Sequence, residues 1–256
     1  MSTDREIEKT ASIIKGSQAI VSLTGAGIST SAGVPDFRSP DEGLWQKDPS
    51  KMWLFTDAGF SSDPKGFYEF GKKLLPRFQG AKPTLTHRFL SWLEGEGKLK
   101  CVVTQNIDGL HQKAGSKNVV EVHGGLSTGR CTNNMCAKEF TLEELVERIE
   151  EELPPQCPDC HALIRPNIVL FGEALPERSY QRALEFLKHC DLLLVMGSSL
   201  VVYPVADMPG IALENRAKLI IINLQPTQYD ARADVLIRSP LDVATEKLVE
   251  VLRITL

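Results

Sequence analysis

The 256-residue chain is short of cysteine, of charge of one sign and of long apolar runs, and each shortage excludes a class of protein. Six cysteines are too few for a disulfide scaffold in a chain of this length. The longest apolar stretches, such as 219–224, fall far below the roughly 20 residues that cross a bilayer. The start, Met1-Ser2-Thr3-Asp4-Arg5-Glu6, is too polar for a signal peptide. With 33 acidic and 29 basic side chains the net charge is −4, which argues against holding nucleic acid by charge alone. These absences point to a cytoplasmic location (or a nucleus, if the source has one), with no membrane and no direct nucleic-acid partner. Hydrophobic residues make up 42% of the chain, enough to bury a sizeable core and exclude disorder. The length suits one large domain, or a large domain carrying a smaller one.

What is present is a series of continuous apolar runs. Segments 18–24, 100–104, 118–122, 168–171, 191–196, 218–223 and 234–237 read as buried strands, and they lack the alternation of a half-exposed sheet. Helical periodicity predicts helices over 3–15, 84–94, 177–189, 204–216 and 242–253. Strand and helix in alternation predict an α/β fold built on an open parallel sheet. Two stretches interrupt the pattern. Residues 41–83 hold aromatics, Pro and Gly without a clear strand, and 129–162 hold four cysteines around a short helix opened by Thr141-x-x-Glu144. Both read as insertions that together make a small second domain.

Four motifs carry chemistry. Gly25-Ala26-Gly27-Ile28-Ser29-Thr30 follows the first strand and starts like a pyrophosphate-binding turn, but Thr30 stands where a third glycine is expected. No acidic residue ends a second strand some 20 residues on, so an ordinary hydride-transfer dehydrogenase fits poorly. Cys131-x4-Cys136 and Cys157-x2-Cys160 offer four thiolates in two knuckles, a closed tetrahedral shell for structural Zn²⁺, with His161 a bystander. Cys101 and Cys190 border apolar runs and read as buried thiols. Thr104-Gln105-Asn106-Ile107-Asp108-Gly109-Leu110-His111 leaves a strand where ligands bind in open sheets. A capped turn built on Asp108 explains the same spacing, and both readings stand. His123, ahead of Gly124 and Gly125, ends a strand and is of the type that serves as a general base. His87, His111 and His189 carry no independent signal; His189 reads as a helix C-terminal residue.

Taken together, these motifs resemble those of the sirtuins, the NAD-dependent protein deacylases, and most closely the compact bacterial and archaeal members. GAGIST-SAGVPDFR, TQNIDGLHQKAG, VHGG, the cysteine pairs, IRPNIVLFGE and GSSLVVYP follow in the family's order, and the likeness runs over about 5–254. It implies a Rossmann-type NAD-binding domain over 1–40, 84–128 and 163–256. It also implies a small domain made of a helical module, 41–83, and a zinc ribbon, 129–162. NAD and acyl-lysine would meet in the cleft between the two. Carried over residue by residue, Gly25, Ala26, Gly27 and Thr30 would cradle the phosphates. Phe37 would shield the reactive ribose carbon, and Arg38 would line the same loop. Gln105 and Asn106 would contact the nicotinamide ribose, Asn106 counting with His123 as catalytic. Ile107 and Asp108 would hold the carboxamide. Gly197, Ser198, Ser199, Asn223 and Asp242 would face the adenosine half. Val169, Phe171, Gly172 and Glu173 on one side, with Val201 and Val202 on the other, would flank an extended substrate peptide.

The implied activity is transfer of an acetyl group from lysine to ADP-ribose, releasing nicotinamide and O-acetyl-ADP-ribose, with His123 as general base. Relatives often carry Ser, Asn or Thr where this chain has Gly125. Mono-ADP-ribosyl transfer, removal of other acyl groups and NAD sensing without turnover are the competing readings. Members that prefer acidic acyl groups carry a Tyr-x-x-Arg pair, whereas Tyr68 is followed three residues on by Gly71, which points to neutral acyl chains.

Overall fold

The computed structural model describes residues 2–36, 43 and 49–256. In chain order the strands are β1 (Ile20–Thr24), β2 (Leu99–Thr104), β3 (Val119–Glu121), β4 (Gly124–Cys131) and β5 (Glu139–Thr141). They continue with β6 (Ile164–Ile168), β7 (Leu192–Met196), β8 (Lys218–Ile222) and β9 (Val235–Ile237). Six of them form a parallel sheet in the order β3-β2-β1-β7-β8-β9. The strand order runs one way from β1 and the other way from β7, so the sheet has its switch point between these two strands.

Two-sided burial explains the unbroken apolar runs. Along β7, Leu192, Leu194 and Met196 join one core cluster while Leu193 and Val195 join the other. The first cluster is closed by Ile7, Ala11 and Ile14 from the helix Ser2–Gly16, by Phe89, Leu90 and Leu93 from Leu85–Gly95, and by Leu248 from Leu241–Leu252. Ala183 and Leu187 from Glu177–His189, with Met208 and Ala212 from Met208–Glu214, close the second. Each fully buried Leu contributes roughly 1.5–3 kcal/mol. Cys101 and Cys190 sit in this second core, where burial pushes both thiols up to about 12.

Two elements differ from expectation. The run 168–171 is not a strand of the parallel sheet; β6 ends at Ile168, pairs antiparallel with β4, and belongs to a separate sheet ordered β5-β4-β6. Its apolar character comes instead from Ile168 and Leu170 packing on the aromatic cluster of Phe60, Phe67 and Tyr68. The helix expected over 204–216 is confined to Met208–Glu214 after a 3-10 turn at Val205–Asp207, because Pro209 occupies its first turn and needs no N–H partner there.

The stretch 49–80 is almost wholly helical, as a 3-10 helix Pro49–Phe55 followed by α-helices Asp57–Ser62 and Pro64–Gly80. Thr56 caps Asp57–Ser62 by accepting the Gly59 N–H at 2.9 Å, and Asp63 caps Pro64–Gly80 by accepting the Gly66 N–H at 2.8 Å. Thr141 and Glu144 close the expected capping box on Leu142–Glu151, at 3.2 and 2.8 Å, and Leu145 of that helix packs on the cysteines. His189 lies in the last turn of its helix with Nδ1 2.8 Å from the Glu185 carbonyl.

Candidate active site

The crevice lies at the carboxyl ends of β1 and β7, where glycines let two loops touch. The Gly27 N–H donates to the Gly197 carbonyl at 2.9 Å, and the Gly25 N–H to the Met196 carbonyl at 3.3 Å. A Cβ on Gly25 or on Gly27 would come within 2.8 Å of the Gly197 backbone, and Gly197 itself has φ +66°. The turn therefore needs both glycines for the approach of its own neighbour. Ala26 and Gly27 remain half-buried and Thr30 exposed, its hydroxyl turned back to the Gly27 carbonyl at 3.1 Å. Ser198 Oγ accepts from Gln105 Nε2 at 2.8 Å, which ties the loops after β2 and β7 together. Ser199 is partly buried beside it, and Asn223, just beyond β8, bonds the Gln225 carbonyl at 2.8 Å. Backbone amides, hydroxyls and carboxamides thus line the crevice, a donor set that suits the phosphates and sugars of a dinucleotide.

Asp242 is used differently. Its carboxylate accepts from Ser31 Oγ at 2.6 Å and from Thr86 Oγ1 at 3.0 Å, fastening three segments to one another. Phe37 and Arg38 lie outside the described residues.

On the floor of the crevice, Asn106 is buried and gives both amide hydrogens away, to Ser29 Oγ at 3.1 Å and to Asp108 Oδ2 at 3.3 Å. Ser29 in turn donates to Asp108 Oδ2 at 2.6 Å, so the three side chains form a closed ring. The other Asp108 oxygen accepts the Leu110 N–H at 2.9 Å. The capped-turn reading of Asp108 therefore holds: one oxygen caps the turn, and the other organises Asn106. Ile107 bonds the Leu126 N–H through its carbonyl at 3.0 Å and packs on the aromatic cluster of the helical module.

His123 follows β3 at the edge of this floor. Its Nδ1 lies 3.1 Å from the carbonyl of Gln105, which can only accept, so the hydrogen sits on Nδ1 and Nε2 is the basic nitrogen. Gly125 is buried, and a Cβ there would meet the Glu121 carboxylate at 3.1 Å. Burial raises the pKa of that carboxyl, with the nearby Asp108 charge adding to the rise and a hydrogen bond from Gln112 opposing it.

The groove wall after β6 is held from within. The Val169 N–H donates to the His123 carbonyl at 2.8 Å, and the Phe171 N–H to the Phe55 carbonyl at 2.8 Å. Phe171 and Gly172 are exposed, whereas the Glu173 carboxylate turns back onto Arg165 in a two-pronged pair at 2.7 and 3.0 Å. Val201 is exposed and Val202 half-buried. Tyr68 is buried with its hydroxyl committed to the Ile164 carbonyl, while Lys72 and Lys73 are exposed.

The four cysteines converge although they come from two knuckles 20 residues apart. Their sulfurs all lie within 4.8 Å of one another, with Cys131–Cys160 at 3.4 Å and Cys136–Cys157 at 3.7 Å. A zinc tetrahedron with Zn–S of about 2.3 Å has S···S edges of about 3.8 Å, so these side chains fit the metal. The Ala162 N–H draws the Cys160 thiol down to about 7, toward the thiolate a metal requires. His161 is exposed and outside the cluster.

Sequence reasoning missed Ser29, which lies inside a glycine turn and meets Asp108 only through the fold. It also missed His87 and His111, which lie tilted against each other with ring centroids 4.6 Å apart. Glycine turns at the switch point of a parallel sheet define a Rossmann-type nucleotide-binding protein. The model of the Sir2 family matches residues 25–204. The chain is 45% identical over 250 residues to NAD-dependent protein deacetylase 2 of Caldanaerobacter subterraneus subsp. tengcongensis, covering 97% of this chain and 96% of that one. A solved Sir2 complex with a p53 peptide and NAD⁺ superposes with a TM-score of 0.86 at 39% identity, covering 94% of this chain and 96% of that one. A Sir2 variant with deacetylated p53 peptide and 3′-O-acetyl ADP ribose gives 0.90 at 39% identity, with 95% and 97% covered. The chain belongs to the Sir2 family.

Proposed function

We infer that this protein is an NAD-dependent protein lysine deacetylase that moves the acetyl group of an acetyl-lysine peptide to ADP-ribose, with a structural zinc in its ribbon. The observation that carries the reading is the His123 Nδ1 contact with the Gln105 carbonyl, which prepares Nε2 to accept a proton at the mouth of the crevice. NAD would supply an electrophilic ribose carbon, taken by the acetyl oxygen as nicotinamide leaves, and the hydroxyl that receives the acetyl carbon, with water completing the release of free lysine. His123 takes the hydroxyl proton at Nε2 and returns it later, while the Gln105 carbonyl keeps the imidazole in one tautomer and orientation. Asn106 and Asp108, fixed by Ser29, hold the nicotinamide end, and the glycine turn with Ser198 and Ser199 holds the other. Four thiolates leave the zinc no open position, so its part is to join β4 to the second knuckle.

The peptide lies along the wall from Val169 to Glu173 and against Val201 and Val202. The acyl pocket takes neutral chains, because the Tyr68 hydroxyl is already bonded and Lys72 and Lys73 are exposed to solvent. The compartment is the cytoplasm, since thiolate ligands and buried free thiols persist in a reducing medium. Incubation with NAD and an acetyl-lysine peptide, followed by mass spectrometry, tests the activity. O-acetyl-ADP-ribose and free lysine are expected; an ADP-ribosylated protein, or no product, would refute it. On one peptide, kcat/KM for succinyl-lysine should fall below that for acetyl-lysine by at least about tenfold. Equal rates would contradict the neutral pocket.

A further inference from the structure

We propose that His111 is a positioning residue for the active site: packed on His87 and held, like it, as a neutral Nε2–H imidazole, it starts a hydrogen-bond chain through Thr24 and Thr104 that sets the backbone of Asn106. Its catalytic readout rests on the deacetylase reading above; its structural readout does not.

The direction of the chain follows from what each partner can do. His87 is fully buried, and its Nδ1 lies 3.2 Å from the Thr84 N–H and 2.8 Å from Thr84 Oγ1. A backbone N–H only donates, so Nδ1 is bare and the ring hydrogen sits on Nε2. His111 is equally buried, with Nε2 3.0 Å from Thr24 Oγ1. The Thr24 hydroxyl spends its hydrogen on Thr104 Oγ1 at 2.8 Å, so it accepts from His111, whose hydrogen is again on Nε2. One nitrogen remains on each ring: a donor, Nε2–H, on His87 and an acceptor, Nδ1, on His111. These two buried atoms have no hydrogen-bond partner among the described residues. The rings that carry them stand 4.6 Å apart at 60°, packed on each other without a hydrogen bond between them. A cationic His87 would aim an Nδ1 hydrogen at the Thr84 N–H.

The chain ends at the reaction site. Thr104 Oγ1, which receives the Thr24 hydrogen, also accepts the Asn106 N–H at 3.1 Å. The chain from His111 therefore ties the end of β1, at Thr24, to the loop after β2. Burial keeps both rings uncharged, drawing His87 down to about 4 and His111 well below its usual value.

Long-range ¹H–¹⁵N spectra of the labelled protein test the two tautomers directly. His87 and His111 should both show the neutral Nε2–H pattern from pH 8 to pH 5.5, with His123 showing the opposite tautomer as an internal contrast. A Nδ1–H pattern, or protonation of either ring in that interval, overturns the proposal. His111→Leu removes the donor to Thr24, whereas His111→Gln restores a donor at the same reach. Measured per NAD-binding site, kcat should fall about ten- to a hundredfold in H111L and recover to within about threefold of wild type in H111Q. Equal losses in the two variants, or none, overturn the positioning role. If H111L does not fold, H111Q and the spectra still decide. An inactive wild-type protein counts against the deacetylase reading alone, and the spectra then decide the structural part of the proposal.

Discussion

His123 bonds a carbonyl through Nδ1, and that single contact decides which ring nitrogen can take a proton. Replacing it with Ala should lower deacetylation by about 10²- to 10⁴-fold, the usual worth of a general base, while calorimetry still finds NAD bound. A variant within threefold of wild type would remove His123 from that role. The buried histidines predict a pH effect of definite sign. The folded protein holds His87 at about 4, below the ordinary 6.5, so unfolding takes up a proton as the pH falls. Its contribution to stability is complete above about 6.5 and is lost progressively toward pH 4, at roughly 1.4 kcal/mol per pH unit. His87→Asn keeps an acceptor for the Thr84 N–H but no titrating ring. The stability gap between wild type and this variant should therefore shrink from pH 7 to pH 4.5 in urea melts. A gap that widens would mean that the ring is charged when folded.

At the scale of elements, β4 and β6 join the cysteines to the chemistry. β4 begins immediately after His123 and ends on Cys131; β6 opens at Ile164, opposite Cys131, and leads into the groove wall at Val169. Loss of one zinc ligand should thus be felt at both the base and the peptide. Cys157→Ser is expected to release metal, to lower thermal stability and to raise the peptide KM as well as lower kcat. A metal-free protein with full activity would contradict this. A second clamp acts further along, where Arg165 lies on Glu173 with side chains only 10% and 21% exposed. Removing the charge in Glu173→Gln strands a mostly buried guanidinium and should cost about 3–5 kcal/mol of stability, read by urea melts. The Leu170 N–H that Glu173 also holds would loosen with it.

The molecule as a whole was legible in the sequence to the extent that it is layered. Strands sandwiched between helices must be apolar on both faces, so β1, β2, β7 and β8 announce themselves as unbroken runs. The run 168–171 imitates them because Leu170 is buried too, but against aromatic rings rather than in a sheet. The cysteine pairs were readable because four ligands at knuckle spacing have one common purpose. Ser29, Thr24 and His111 were not, since their partners lie 79, 80 and 87 residues away and are chosen by the packing of β1 on β2. The central claim, that the crevice passes an acyl group from lysine to ADP-ribose, is tested most directly by following a ¹³C-acetyl label. With NAD present, label lost from the peptide should appear on ADP-ribose, mole for mole with the nicotinamide released. Nicotinamide released without label on ADP-ribose, or label leaving as free acetate when NAD is withheld, would contradict it.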